Sequence, residues 1–138
     1  ISAQIIDLRS AVSKEACRAV GALAASLRQQ FSPLTELFWP HLARVVVVKI
    51  QVIASAADKC LRVLVAACPD HRLLGLIVES CTGKNPPLRK LCLEYACLAC
   101  AAWRSEGIER QIAQLKQVVR TAIADSDAGA RKTARQLF

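Results

Sequence analysis

The sequence contains no methionine and few aromatic residues, and both shortages limit what the chain can be. Aromatic residues make up 4% of the 138 residues, whereas hydrophobic residues make up 54%. Ala, Leu, Val and Cys must therefore fill the core. Because Ala and Leu are strong helix formers and Gly and Pro are few, the composition predicts an all-α protein. The chain begins with Ile1 and has no Met at all, so we expect it to be a piece of a longer protein.

Long uncharged apolar runs are also missing. No such stretch reaches about 18 residues, so the sequence predicts no membrane span. Asp7 and Arg9 interrupt the N-terminal apolar run, which argues against a signal peptide. The seven cysteines are odd in number, and most lie within apolar helical patterns. This usage indicates a reduced, cytosolic chain with Cys as a small core residue, and not a disulfide framework.

Residues suited to catalysis are sparse. His41 and His71 are the two histidines, and neither lies near a Ser or Cys in a nucleophile motif. The five glycines are scattered and form no phosphate-binding loop. Cys97 and Cys100 form a CxxC pair, but the pair lies in an apolar helical pattern without a second pair of ligands, which favours a core role over zinc or redox chemistry. We predict no enzyme, no cofactor and no metal.

Positive charge is abundant instead. The formal net charge of +8 predicts an acidic partner, which could be nucleic acid, an anionic membrane surface or an acidic protein. The scarcity of aromatic residues along the basic segments disfavours single-stranded nucleic acid, because they offer no surface on which bases could stack.

Apolar residues at helical spacing predict a chain of helices joined by short turns. Ser32 and Asn85 are predicted N-caps, Pro40 is expected to kink its helix, and "RSEG" is read as a turn. The run "RVVVVKIQVI" suits a strand by propensity, but no second strand pattern could pair with it, so we interpret it as a helix end, a turn near residues 48–50 and a new helix. The predicted helices span residues 12–30, 33–46, about 51–67, 71–81, 86–103, 108–124 and 128 onward.

A repeat is visible in these helices. Val12, Val52, Leu88 and Ala130 recur at intervals of roughly 40 residues with two helices per interval, which is the signature of HEAT or armadillo repeats. The sequence thus predicts an α-solenoid of HEAT repeats, a single domain over residues 1–138 with about four helical hairpins. In such an array the turns inside the repeats line one edge.

The turns inside the repeats are basic. The stretch "TGKNPPLRK" (82–90) is one of them, and its prolines stiffen it, which lowers the entropy lost on binding. The alternative interpretation is a solvated turn that keeps the chain soluble. Asp7, Asp125 and Asp127 share the edge and are predicted to cap helix N-termini. The cations of the edge are Arg9, Lys49, Lys84, Arg89, Lys90, Arg131, Lys132 and Arg135.

Three stretches carry a resemblance to a known family. They are "DLRSAVSKEACRAVGALAASL", "IVESCTGKNPPLRKLCLEYACLACAAW" and "IERQIAQLKQVVRTAIADSDAGARKTAR". They resemble the TOG domains of the CLASP family and are most similar to the second TOG-like domain of that family. The resemblance implies a paddle-shaped array of HEAT repeats that binds αβ-tubulin through the turns inside each repeat. It also implies a role at microtubule plus ends and the spindle, where such proteins suppress catastrophe and promote rescue.

The resemblance also assigns contact residues by position. The family's first repeat carries a tryptophan that contacts tubulin, and no stretch of this sequence matches it, so we expect the chain to begin inside the second repeat. Trp39 and Trp103 lie in helices and are predicted to pack internally. The implied tubulin-binding residues are Arg9 and Ser10, Lys49 and Ile50, Lys84 and Asn85 followed by Arg89 and Lys90, and Ala130 and Arg131 followed by Lys132 and Arg135.

Two alternatives remain open from the residues. The first is a HEAT-repeat scaffold for another acidic protein or for nucleic acid. The second is a ciliary TOG protein of the crescerin type. The family implies a cytoplasmic, cytoskeletal location, no membrane partner, and further plus-end partners that bind outside this segment.

Overall fold

Helices account for the fold. The computed structural model describes residues 1–137, and within that range the chain forms nine α-helices and no β-strand. The predicted all-α class is confirmed. In chain order the helices are α1 (Ser2–Ile5), α2 (Ser10–Leu27), α3 (Ser32–Val45), α4 (Gln51–Ala67), α5 (His71–Ser80), α6 (Pro86–Ala102), α7 (Ser105–Glu109), α8 (Ile112–Ala122) and α9 (Ala128–Leu137).

Eight of these helices form four hairpins, each made of a helix, a short turn and a second helix. The pairs are α1 with α2, α3 with α4, α5 with α6, and α8 with α9, and the two helices of each pair contact each other. The second helices begin at Ser10, Gln51, Pro86 and Ala128, so their starts recur at roughly 40-residue intervals, as in HEAT repeats. The first two hairpins form one compact unit, Ile1–Cys68, and the last two form another that begins at Pro69.

In the first unit α2 packs along α4. The hydroxyl of Ser13 donates a 2.6 Å hydrogen bond to the carbonyl of Ile5 and so ties α2 to α1. The rings of Phe31 and Phe38 stack with their centroids 5.8 Å apart. Trp39 is buried, as predicted for a packing residue. Other side chains of this core are Ile5, Cys17, Val20, Leu42, Leu61, Leu64 and Val65.

In the second unit α6 packs along α9, and α5 packs along α6. Trp103 is buried at the end of α6, again as predicted. Because Ala and Cys are small, the helices of this unit can approach closely where those residues meet. Buried side chains of this unit include Leu73, Leu74, Ile77, Cys92, Leu93, Tyr95, Ala96 and Ala134.

The chain between α2 and α3 differs from the prediction. Helix α2 ends at Leu27 and not at residue 30. The backbone of Arg28 has φ 48°, whereas an α-helix requires a negative φ, so the helix cannot continue through this residue. A 3₁₀ turn, Arg28–Phe31, then leads directly into α3. Ser32 is therefore not an N-cap: it is buried inside the first turn of α3, and its hydroxyl has no partner among the described residues. Pro40 lies inside α3, and the kink expected there stays a prediction.

The segment after Trp103 also differs. "RSEG" was predicted as a turn, but Ser105–Glu109 forms the short helix α7, in which the backbone of Gly107 lies against the Trp103 ring. The helix predicted over residues 108–124 is correspondingly shorter, because α8 begins only at Ile112. The non-helical backbone at Gln111 (φ −113°, ψ 5°) separates the two helices.

The repeat register is off by one residue in the second hairpin. Val52 was aligned with Val12, Leu88 and Ala130, yet its side chain is 53% exposed. Ile53, the third residue of α4, takes the corresponding position and is buried. The interpretation of "RVVVVKIQVI" is confirmed, since α3 ends at Val45 and α4 begins at Gln51.

All seven cysteines are free thiols. Five of them are buried, as the prediction of core cysteines requires, whereas Cys97 is partly exposed and Cys100 is exposed. Among residues 1–137, no helix combines the length and the hydrophobicity needed to cross a bilayer.

Candidate functional site

The candidate site residues lie in or just after the four turns inside the hairpins, two turns in each unit, which we call the hairpin turns. They comprise residues 6–9, 46–50, 81–85 and 123–127. Each one ends at the N-terminus of a second helix, where backbone N–H groups are unpaired within the helix. Their arrangement depends on how the second helices pack within each unit.

In the first unit α2 and α4 run in the same direction. Gly21 of α2 lies beside Cys60 of α4, and the carbonyl of Arg28 accepts a 3.3 Å hydrogen bond from the thiol of Cys68. Both residues of the second contact lie C-terminal to those of the first, so the two helices must be parallel. The turns that precede α2 and α4 therefore lie at the same end of this unit.

In the second unit α6 and α9 also run in the same direction. Arg89 contacts Asp125 near the start of both helices, and the thiol of Cys97 lies 3.8 Å from the carbonyl oxygen of Thr133 farther along. The turns at 81–85 and 123–127 are thus neighbours at one end of this unit. The predicted grouping of hairpin turns holds within each unit.

Arg9 in the first hairpin turn is paired with Asp7. Its guanidinium donates hydrogen bonds of 3.0 and 2.8 Å to the carboxylate, and its backbone N–H donates another of 2.8 Å. These bonds, those of the side chain first, lower the pKa of Asp7 from 3.8 to about 2. Asp7 was predicted to cap α2, but the helix begins after Arg9 without a side-chain cap, so the carboxylate instead closes the turn before the helix. Arg9 and the neighbouring Ser10 remain exposed.

The second hairpin turn is largely apolar. Lys49 is exposed and has no ion-pair partner among the described residues, and Ile50 beside it is 46% exposed. Leu8 in the first hairpin turn is 87% exposed. Sequence analysis named Ile50 among the implied contact residues but missed Leu8, although an apolar residue just before a helix start was a visible signal. The site end of the first unit therefore combines cations with exposed hydrophobic groups.

The third hairpin turn has the predicted cap. The side-chain oxygen of Asn85 accepts a 3.1 Å hydrogen bond from the backbone N–H of Leu88, and Pro86 occupies the first position of α6. The Thr82 hydroxyl donates to the carbonyl of Glu79 at 3.0 Å. Lys84 between them is exposed. The turn is therefore held by bonds at both of its ends and presents Lys84 to solvent.

Arg89 joins the third and fourth hairpin turns. Its guanidinium donates to both carboxylate oxygens of Asp125 at 2.9 and 3.1 Å and to the carbonyl of Gly83 at 3.1 Å. The side chains of Arg89 and Asp125 are only 16% and 9% exposed. The bonds from Arg89, followed by the backbone N–H of Asp127, hold the pKa of Asp125 below its usual value. This pair is a structural link between two hairpins.

The fourth hairpin turn is organised by its two aspartates. Asp127 caps α9 as predicted, accepting a 2.8 Å hydrogen bond from the N–H of Ala130. Asp125 was also predicted to cap a helix, but it accepts from the N–H of Asp127 at 2.9 Å, before the helix begins. Arg131 donates to the carbonyls of Asp125 and Ser126 at 2.7 and 3.0 Å. Ala130 is fully buried.

The other assigned cations of the second unit keep their charged groups exposed. Lys90 is exposed and its methylene chain lies against Gly129 of α9. Lys132 and Arg135 are exposed on α9. The structure thus divides the assigned residues into those with exposed charge and those such as Arg89 and Ala130 that hold the hairpins together. Sequence analysis could not make this division, because the ion pair joins residues one hairpin apart.

Within residues 1–137, no group of three or more His, Cys, Asp or Glu side chains has an arrangement suited to a metal ion. Burial raises the pKa of the Cys97 and Cys100 thiols, and the two remain unlinked.

Comparison with known proteins places these helices in a family. The family model described as "CLASP N terminal" matches residues 1–138. A CLIP-associated protein of Arabidopsis thaliana is 34% identical over 140 residues, covering 100% of this chain and 10% of that protein. CLIP-associating protein 1 of Xenopus tropicalis is 29% identical, and CLIP-associating protein of Drosophila melanogaster is 25% identical, each covering 96% of this chain and 9% of the relative.

A solved structure supports the fold. The crystal structure of an engineered protein superposes with a TM-score of 0.53 at 14% sequence identity, covering 99% of this chain and 58% of that one. At this identity the likeness concerns the fold alone. The chain spans about a tenth of the length of the curated relatives that it matches. The match over the full sequence and the identity to the Arabidopsis relative show that this chain belongs to the CLASP N-terminal family.

Proposed function

We propose that this chain is a tubulin-binding module of a microtubule regulator and that it binds through its hairpin turns. Family membership indicates the class of target, and the positive charge of the turns indicates how they would bind it. The observation that carries the proposal is the set of exposed lysines at one end of the second unit, Lys84, Lys90 and Lys132. Asp125 and Asp127 at the same end are occupied by internal hydrogen bonds, so these lysines are left to face an acidic partner.

Each hairpin turn contributes differently to this proposal. Lys84 lies in the stiff third turn and Lys90 follows it in α6, while Lys132 and Arg135 extend the basic surface along α9. Arg89 and Ala130 contribute by fixing the position of the turns, since the first is paired and the second is buried. In the first unit, Arg9, Ser10 and Lys49 would bind together with the exposed apolar side chains of Leu8 and Ile50.

Nucleic acid is the weaker candidate. Binding of single strands relies on aromatic side chains that stack on bases. All five aromatic residues in the described range are buried, namely Phe31, Phe38, Trp39, Tyr95 and Trp103. The basic turns therefore lack the stacking surface that single-stranded nucleic acid requires.

We further propose that the longer protein acts as the family implies, and that it stabilises microtubules in the cytoskeleton.

Charge reversal at the third turn tests the proposal. The double variant Lys84→Glu/Lys90→Glu should bind αβ-tubulin at least about tenfold more weakly, because two attractive contacts become repulsive. Binding is measured by sedimentation and by fluorescence anisotropy with labelled tubulin.

The matched control is Arg104→Glu/Lys116→Glu, which makes the same change of charge at an exposed position after α6 and an exposed position of α8, both outside the hairpin turns. It should change the affinity by less than about twofold if the turns are the binding site. Equal losses in both double variants would show a response to net charge alone and would contradict the proposal.

A further inference from the structure

A groove runs between α2 and α4 of the first unit, from Val52 beside the second hairpin turn to Ala25 and Val63 farther along the two helices. Its volume is about 680 Å³, within the range of roughly 300–1,000 Å³ that is typical of ligand sites. Buried Cys17 and Gly21 of α2 and Cys60 of α4 lie at its base. All the residues that line it belong to these two helices.

The wall formed by α4 exposes large apolar side chains. Val52 is 53% exposed and Val63 is 38% exposed, and both line the groove. They lie three helical turns apart along α4, so apolar surface is present along the length of the groove. Surface of this kind gains free energy when a partner removes it from water.

The rim of the groove carries only positive charge. Lys14 and Arg18 lie one helical turn apart on α2, and Lys59 lies on α4 across from them. No acidic residue of the described range lines the groove. Glu15 does not line the groove but lies 3.6 Å from Arg18. Both side chains are more than half exposed, so solvent screens the pair and Glu15 offsets the positive charge of the rim very little.

We propose that this groove binds an acidic amphipathic helix of a partner protein. An apolar groove between two helices accepts the apolar face of a third helix, and cations on both rims select carboxylates that flank that face. The lining of α2 extends from Lys14 to Ala25, about 17 Å, which a partner helix of about 11 residues would span. The partner is thus a segment with three turns of apolar residues bordered by Asp or Glu.

The probe is a synthetic, fluorescein-labelled peptide of about 14 residues, with Leu at the spacing of one helical face and Glu at the other positions. Two control peptides have the same composition in scrambled order, or Lys in place of Glu. Binding to the 138-residue chain is followed by anisotropy at about 0.15 M salt, which screens weak nonspecific attraction. We expect saturable binding of the first peptide only.

Two variants of the groove should each weaken that binding at least about tenfold. Lys14→Glu/Lys59→Glu reverses the rim, and Ala22→Gln fills part of the groove from an exposed position of α2 without changing charge. The matched control, Lys84→Glu/Lys90→Glu, makes the same change of charge in the second unit and should leave peptide binding within about twofold. Thermal unfolding of each variant checks that the fold is intact.

The outcomes separate this inference from the proposed function. Loss of peptide binding but not of tubulin binding in the groove variants, with the reverse in the Lys84/Lys90 variant, supports two independent sites. Equal binding of the scrambled peptide, or full binding by Ala22→Gln, would overturn the groove proposal while leaving tubulin binding untouched. Capture of phosphatidylserine vesicles in place of the peptide would overturn it as well.

Discussion

At the scale of single residues, the carboxylate of Asp125 has more partners than any lysine of the hairpin turns. It accepts two hydrogen bonds from Arg89 on α6 and one from the backbone of Asp127. Arg131 completes the arrangement by donating to the carbonyls of the same turn. An uncharged side chain at position 125 would leave the guanidinium of Arg89 without its counter-ion in a mostly buried place.

The substitution Asp125→Asn should lower the unfolding midpoint at about pH 6 by a few degrees. The folded pKa of Asp125 is below its unfolded value, so the charged form adds stability that is complete above about pH 4 and is lost as the pH falls through the folded pKa. The difference between variant and unsubstituted chain should therefore shrink at about pH 2. Thermal unfolding followed by circular dichroism at both pH values measures it.

The control for this variant is Glu15→Gln. Glu15 lies 3.6 Å from Arg18 one turn away on the same helix, and both side chains are exposed. Such pairs stabilise helices by only about 0.3–0.5 kcal/mol. An equal loss in the two variants would mean that the link between hairpins contributes no more than an ordinary surface pair.

At the scale of elements, α2 contains a glycine that its conformation does not require. Gly21 has no positive φ, and a Cβ there would meet the Cα and Sγ of Cys60 at 3.8 and 3.9 Å, which are ordinary contacts. Gly21→Ala should therefore raise the free energy of unfolding by about 0.5–1 kcal/mol, because Ala loses less backbone entropy in a helix. Chemical denaturation measures the change.

Gly129 provides the contrast. A Cβ at this position of α9 would lie 2.6 Å from Cε of Lys90 and 3.0 Å from a carboxylate oxygen of Asp127. Gly129→Ala should thus gain less stability than Gly21→Ala, since the Lys90 side chain must move. A larger gain at Gly129 would show that backbone entropy, and not packing, decides both positions.

The elements that the sequence predicted best carry local chemical signals. Asn85 followed by Pro86 marks the start of α6, and Asp127 marks the start of α9, because a capping side chain acts within three residues of itself. Ser32 carries the same kind of signal and misleads, because Arg28 ends α2 early and the chain enters α3 without a cap. Helix α7 was predicted as a turn, because a helix of five residues is too short for helical periodicity to reveal.

At the scale of the whole molecule, the seven cysteines form a pattern of accessibility. Cys100 is exposed and Cys97 is partly exposed, while five thiols are buried, and burial raises the pKa of Cys60 and Cys92 to about 12. A thiol reagent such as Ellman's reagent should therefore modify Cys100 first, Cys97 more slowly, and the other five only after unfolding.

The variant Cys100→Ser tests this assignment by removing the fastest phase, and the buried thiols serve as internal controls. Addition of a reductant should leave the unfolding midpoint unchanged, since the chain contains free thiols and no disulfide. Rapid modification of all seven thiols under native conditions would contradict the burial of Cys17, Cys60, Cys68, Cys81 and Cys92.

The positions of the hairpin turns could be predicted from the sequence, whereas the binding role of their residues stays a prediction. Sequence spacing identified the hairpin turns because the helix starts recur with the repeat. It could not show that Arg89 is paired across hairpins or that Ala130 is buried, since both depend on how α6 meets α9. The exposed Leu8 was missed because apolar residues near a helix start are usually taken as core.

The contact of Lys90 with Gly129 has a mechanical consequence. The aliphatic part of this lysine rests on the backbone of the neighbouring hairpin, so the place of its ammonium group depends on the distance between α6 and α9. Any force that slides one of these two hairpins past the other therefore moves the ammonium group of Lys90. Under the proposed function, tension on the second unit would change its affinity for tubulin.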